Sequence, residues 1–194
     1  MNKKWMFIAL TISANALFAQ EQQTLFQHSR VRGGFGGPIF SWSQTNNKTG
    51  FGAGGGGGVV FDGFFVGLFG MGEVFDNPVV GQQQLVHGYG GLWMGYSVPS
   101  YKIVHVYTSL KLAGGSTGVT DFEQDWDYYD SRHDVTFVAI PEAGVEINIA
   151  RWMRMSGSLG YRFVNGFEGW GPYGKKDLNA LTYNLTFRFG WFGG

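Results

Sequence analysis

Along Leu181-Thr182-Tyr183-Asn184-Leu185-Thr186-Phe187-Arg188-Phe189-Gly190-Trp191, every odd position is large and apolar, and every even one is glycine, polar or charged. Strand side chains point alternately to two faces, so this segment predicts a strand between an oily phase and a polar one. Residues 152–165 repeat the pattern. Met153, Met155, Leu159, Tyr161 and Phe163 share one face, and Arg154, Ser156, Ser158, Gly160 and Arg162 the other. Within 101–115, Val104, Val106, Leu110 and Leu112 oppose His105, Tyr107, Ser109 and Lys111. Segment 132–149 ends with Val145, Ile147 and Ile149 against Glu146 and Asn148. Its Pro141 predicts a bulge, because proline has no N–H for a ladder. Segments 30–43, 48–61, 64–75, 84–97 and 178–192 complete eight strand predictions, with glycine blurring the faces of the second and third. No window outside the N-terminus shows a helical period.

The connections predict the topology. Asp62-Gly63 is a two-residue hairpin signal, Val98-Pro99-Ser100 joins the fourth and fifth strands, and Ala150-Arg151 joins the sixth and seventh. Gln44–Asn47, Asp76–Gln83, Ser116–Ser131 and Gly166–Asp177 are longer. Short and long therefore alternate, which in an up-and-down barrel gathers the long loops at one end. Phe61, Phe64, Tyr96, Tyr101, Trp152, Trp191 and Phe192 fall beside the short turns, and Trp42, Phe163 and Phe167 near the opposite rim. Aromatic rings at two rims are what a membrane-spanning barrel places at its lipid interfaces.

Composition decides which phase is outside. Charged residues are 14% of the chain, against about 25% in ordinary soluble domains. Aromatics reach 18%, and there are 33 glycines. The polar faces carry mostly Gly, Ser, Thr and Asn with a few Arg, which suits the crowded inside of a narrow barrel. The aromatic faces then meet lipid. At the N-terminus, Met1-Asn2-Lys3-Lys4 and the apolar run Trp5 to Ile12 read as a signal peptide. Cleavage is expected after Ala19 (Leu17-Phe18-Ala19), with Ala16 as the other site, leaving a polar leader over 20–29 and a barrel over 30–194. The chain has no Cys, hence no disulfide, thiolate zinc site or lipid-bearing Cys. Without Lys3 and Lys4, 12 basic residues stand against 14 acidic ones, and no basic domain points to nucleic acid.

On these features the chain resembles the small outer-membrane β-barrel proteins of Gram-negative bacteria, similar to the eight-stranded barrels of the OmpA and OmpX kind. The fold class expected is all-β, an eight-stranded antiparallel up-and-down transmembrane β-barrel. The resemblance implies residence in the outer membrane, contact with its lipid and lipopolysaccharide, and a monomeric barrel with no cofactor. The ending Phe187-Arg188-Phe189-Gly190-Trp191-Phe192 resembles the signal read by the barrel-assembly machinery, with Gly193-Gly194 following where a terminal aromatic is usual.

Five constellations could carry chemistry or binding. Gly52-Ala53-Gly54-Gly55-Gly56-Gly57 fits Gly-x-Gly-x-x-Gly, but a hairpin follows instead of the helix that a dinucleotide site needs. Arg32, Lys111, Glu142, Glu146, Arg154, Arg162 and Arg188 are expected in the lumen, with Glu73, His87 and His105 as further candidates. There they predict an Arg–Glu plug centred on Glu142, Glu146, Arg154 and Arg188, the alternative being a narrow water-filled pore. His105 and Ser109 share a face as a lipid-modifying site would need, but lie about 13 Å apart along a strand. Asp121, Glu123, Asp125 and Asp127 alternate with aromatics in the third long loop, where carboxylates could hold calcium or magnesium. The aromatic run Phe167-Glu168-Gly169-Trp170-Gly171-Pro172-Tyr173 offers a surface for an extracellular ligand. The reading is a structural or surface-interactive barrel; a pore comes second and a lipid-modifying enzyme third.

Overall fold

The computed structural model describes residues 31–45, 48–76, 83–98, 102–121, 134–169, 174 and 176–192. The chain divides into Met1–Arg30 and Val31–Gly194, and all described residues belong to the second unit. The signal peptide (1–19) and leader (20–29) expected from sequence therefore lie outside the described residues.

Eight strands follow one another: β1 (Gly33–Thr45), β2 (Lys48–Val60), β3 (Phe64–Asp76), β4 (Gln83–Val98), β5 (Val104–Asp121), β6 (Asp134–Ala150), β7 (Met153–Asn165) and β8 (Ala180–Trp191). Each pairs antiparallel with the next, and β8 returns to β1, with Trp42 opposite Tyr183, so the sheet closes as a barrel. Closure leaves no edge strand to be protected.

Three details of the sheet differ from expectation. The β1–β2 ladder runs to Thr45 opposite Lys48, so only two residues separate these strands. The strict alternation of long and short connections fails there, because Gln44 and Thr45 continue the ladder. At the other extreme, β5 runs on to Asp121, opposite Gln83, through Ser116–Asp121 that the sequence placed in a loop. The long connections, 77–82, 122–133 and 166–179, share one end of the barrel, called here the loop end. Pro141 does not make a bulge. It pairs in register with Leu110, and the β6–β7 ladder only skips Ile140 and Pro141, between Ala139↔Phe163 and Glu142↔Gly160. Pro38 interrupts β1–β8 in the same way, since each proline lacks one donor. The register shift of β6 comes later, between Asn148 and Ala150, beside the turn to β7. At the turn end, Gly63 takes φ +85°, a conformation that glycine reaches without strain, and its carbonyl accepts from Ser97 N at 2.9 Å.

The alternation read from sequence in β5 to β8 is the burial pattern observed. Tyr161, Phe163, Leu181 and Tyr183 are exposed, while Arg162, Thr182, Asn184 and Arg188 are buried. No outward-facing strand position with a described side chain carries a charge. At the turn end Tyr96, Trp152 and Trp191 point outward, Trp152 stacking on Phe189 at 6.1 Å. Phe192 does not share that rim: it turns into the lumen and is buried. At the loop end Trp42 and Phe163 point outward, but Phe167 is buried. Tyr101 lies outside the described residues.

The interior is less polar than the sequence suggested. Phe35, Phe65, Phe69, Phe75, Tyr89, Trp93 and Tyr107 all point inward. They fit because the strands beside them lack side chains. A Cβ on Gly56 would stand 3.0 Å from Trp93 Cε3, one on Gly50 2.8 Å from Phe75 Cε1, and one on Gly95 2.5 Å from the Phe65 ring. The glycine run of β2 is thus a bed for aromatic rings. Gly70, on the outward face, has no atom within 4 Å of a Cβ. Gly95→Val should therefore lower unfolding stability by about 1–3 kcal/mol, with Gly70→Val close to neutral. Urea unfolding of the barrel refolded into lipid vesicles, followed by Trp fluorescence, would measure both.

Candidate functional site

Strand parity and register stack the inward charges in three layers. Nearest the turn end, Glu146 of β6 faces His105 of β5, whose Nε2 lies 2.7 Å from Oε1. Arg154 Nη1 reaches the same oxygen at 3.2 Å, as does the Ser97 hydroxyl, and Arg188 pairs with Oε2 through Nη2. His105 Nδ1 donates to the Lys102 carbonyl at 3.1 Å, since a carbonyl can only accept. In the middle layer, Glu142 accepts from Lys111 Nζ at 2.6 Å, Ser109 at 3.0 Å and Ser158 at 3.3 Å. Towards the loop end, Glu73 accepts from the Tyr89 hydroxyl at 2.7 Å and pairs with Arg162, whose Nε donates to the Leu178 carbonyl at 2.8 Å. His87 Nε2 lies 3.1 Å from the Thr136 hydroxyl in the same layer.

Each buried cation carries a carboxylate on one side and an aromatic ring on the other. Arg188 lies 5.0–5.1 Å from the centroids of Phe35, Phe65 and Tyr107. Lys111 lies 5.7 Å from Phe69 and 5.6 Å from Trp93. Arg162 lies 5.4 Å from Phe75, and Arg154 only 4.1 Å from Phe192. The negative faces of these rings stand in for water around cations that the barrel has desolvated.

Of the residues expected in the lumen, Lys111, Glu142, Glu146, Arg154, Arg162 and Arg188 are all buried there, and so are Glu73, His87 and His105. Glu142 and Glu146 do not form one centre. Four residues apart along β6, they take different cations. Arg32 is a correction: it precedes β1 and is half exposed, pairing with Asp62 of the turn at 2.6 Å. The short polar turn offers it a partner without the cost of burial. Asp121 ends β5, while Glu123, Asp125 and Asp127 lie outside the described residues, as do Trp170 to Tyr173. His105 and Ser109 serve separate carboxylates, Glu146 and Glu142. What sequence reasoning missed is the aromatic half of the site. Its signal was present: glycines at alternate positions of β2, from Gly50 to Gly58, leave a volume that inward rings must fill.

Among the described residues, apolar side chains are buried at both ends of the barrel. Phe192 stacks on Phe35 at 6.2 Å at the turn end. Leu178 and Phe167 are buried at the loop end, where Asn179 Oδ1 accepts from Val164 N at 2.6 Å and ties this connection down.

Among solved structures the chain is similar to Neisserial surface protein A (NspA), with a TM-score of 0.54 and 10% identity, over 81% of this chain and 95% of that one. It is also similar to Ail, the attachment invasion locus protein of Yersinia pestis, with a TM-score of 0.44 and 14% identity, over 82% and 97%. No protein-family model and no curated protein sequence matches the chain. The fold is that of the small eight-stranded outer-membrane barrels.

Glu146 is the most heavily shared carboxylate. Glu146→Gln should cost about 3–5 kcal/mol of unfolding stability, because it strands buried guanidinium groups. Adding Arg188→Met to that variant should recover part of the loss, since an apolar chain replaces one stranded charge. A double-mutant cycle by urea unfolding in lipid vesicles would give both numbers.

Proposed function

We propose that the protein is a monomeric outer-membrane barrel, exported through a cleaved signal peptide, with its loop end at the cell surface. Its role is structural or surface-interactive, and its lumen is closed to solutes. The observation that carries this reading is the outward face, where no described strand side chain is charged and Tyr96, Trp152 and Trp191 ring one end. A face of that kind is stable against hydrocarbon and costly against water. NspA, whose fold the chain shares, is by its name a surface protein.

The closed lumen is supported by its contents. Three ion-paired layers interlocked with rings, and capped by Phe192, Leu178 and Phe167, leave a solute no continuous polar path. The pore reading has no comparable support. The lipid-modifying reading loses its residues, as His105 and Ser109 face inward to different carboxylates. Contact with the world outside then falls to the loops. The acidic-aromatic stretch from Asp121 to Asp127 offers oxygen ligands to a divalent cation, through which lipopolysaccharide phosphates could be bridged. The aromatic run 167–173 offers a binding surface for an extracellular ligand. Insertion by the barrel-assembly machinery is supported by the outward register Leu185, Phe187, Phe189 and Trp191, which Phe192 does not share.

Purified protein in planar bilayers should show no steady single-channel steps, and a reproducible unitary conductance would sink the closed lumen. Location has its own test: the protein should fractionate with outer membranes and migrate faster on gels when unboiled. Recovery in a soluble fraction would overturn the membrane assignment.

A further inference from the structure

The buried charges do not balance, and the imbalance sits in one layer. Among the described residues, the buried acids are Glu73, Glu142 and Glu146, and the buried Lys and Arg residues are Lys111, Arg154, Arg162 and Arg188. Glu73 pairs with Arg162 and Glu142 with Lys111, one to one. Glu146 faces both Arg154 and Arg188, so the turn-end layer holds one cation in excess before His105 is counted. The rim around it adds more positive charge. Arg32 and Asp62 offset each other there, leaving Lys102 and Arg151 exposed.

A cavity opens in the same layer. It is lined by Arg154, Arg188, Ser97, Phe65, Val60, Gly63 and Phe192, with a volume of ≈ 10 Å³, room for about one water-sized occupant. Arg188, 2% exposed, has its Nε without a hydrogen-bond partner there. A water could solvate these donors but would leave the surplus charge in place, and an unpaired charge in a desolvated site is costly. A monatomic anion answers both needs. It accepts from several guanidinium N–H donors at once, cancels the excess, and is smaller than a tetrahedral oxyanion.

We infer that the turn end of the lumen is a binding site for a small inorganic anion of the chloride class, held by Arg154 and Arg188 beneath the Phe192 ring. Arg154 is the residue that makes the site, because without it Glu146 and Arg188 balance. The inference needs only the folded barrel and stands apart from the closed lumen. A conducting channel would overturn that reading and leave this one untouched.

The test is chloride-35 NMR on the detergent-folded full chain, with unboiled gel migration as the check of folding. Wild-type protein should broaden the chloride line beyond empty micelles, saturably, and Arg154→Gln should reduce the excess at least tenfold. Ser97→Asp places a carboxylate in the cavity while keeping both guanidinium groups, and should abolish the excess as well. It also serves if Arg154→Gln fails to fold. Above the dissociation constant, each tenfold rise in chloride at constant ionic strength should raise the wild-type folded-to-unfolded ratio about tenfold. No excess broadening in the wild type would overturn the inference, as when a carboxylate of the chain's own termini fills the site. Broadening equal in wild type and Ser97→Asp would overturn it too, by assigning the chloride to the exposed rim.

Discussion

Closing eight strands into a barrel leaves an interior just wide enough for side chains, and they must fill it without voids while satisfying every polar atom. This chain meets the constraint by dividing the labour around the wall. Strands β1 to β4 supply most of the rings and the glycines that make room for them; β5 to β8 supply most of the charge. The two halves meet through Lys111, Arg162 and Arg188, each between a carboxylate and an aromatic face. Filling and charge compensation are thus one set of contacts. Removing a ring would expose a cation to a void, and removing a carboxylate would leave that cation against a ring alone.

The energetic meaning of such a core differs from that of an apolar one. Buried ion pairs gain little over well-packed hydrophobic residues, because desolvation offsets most of the attraction. What they supply here is register. A strand slipped by one residue would turn Arg154, Arg162 and Arg188 towards the outer face and bring Met155, Phe163 and Phe189 inside. In a sheet whose outward face carries no charge among the described side chains, an aliphatic interior would make that slip cheap, since the two faces would look more alike. The charges make inside and outside different chemical places.

That difference is also why the fold was legible in the sequence and the site only partly so. The alternation in β7 and β8 required one face to be lumen, so Arg154, Arg162 and Arg188 could be placed from parity alone, and Glu146 likewise at the end of β6. In β1 to β4 parity was silent, because glycine takes both faces and Phe or Trp suits lipid as well as a ring-lined interior. Phe65, Phe69 and Trp93 could be assigned inward only by knowing that Gly56 and Gly95 stand beside them across the ladder. Cross-strand register is long-range information that a pattern along one strand does not hold. Arg32 was misplaced for a related reason: parity was extended past the point where β1 begins, and Asp62 across the turn captured it instead. Pro141 and the first connection show the same limit, since a ladder can pass a proline or tighten a loop wherever its partner strand keeps pairing.

The two ends of the barrel resolve the same problem differently, and the contrast bears on where function can reside. At the loop end, Glu73 and Arg162 balance in charge, and the chain itself completes the layer: the Leu178 carbonyl takes Arg162 Nε while the Leu178 side chain and Phe167 cover it. That layer is closed by a long connection, so a change in the loop would be felt directly by a buried ion pair. At the turn end the cover is a single ring, Phe192, over a layer whose cations outnumber its acids. One end is therefore coupled mechanically to its loops, and the other is open to compensation by a small solute. Between them lies the middle layer, Lys111 on Glu142 with Ser109 and Ser158, joined to the turn-end layer through the Trp93 ring, which packs on Phe35 and Phe65.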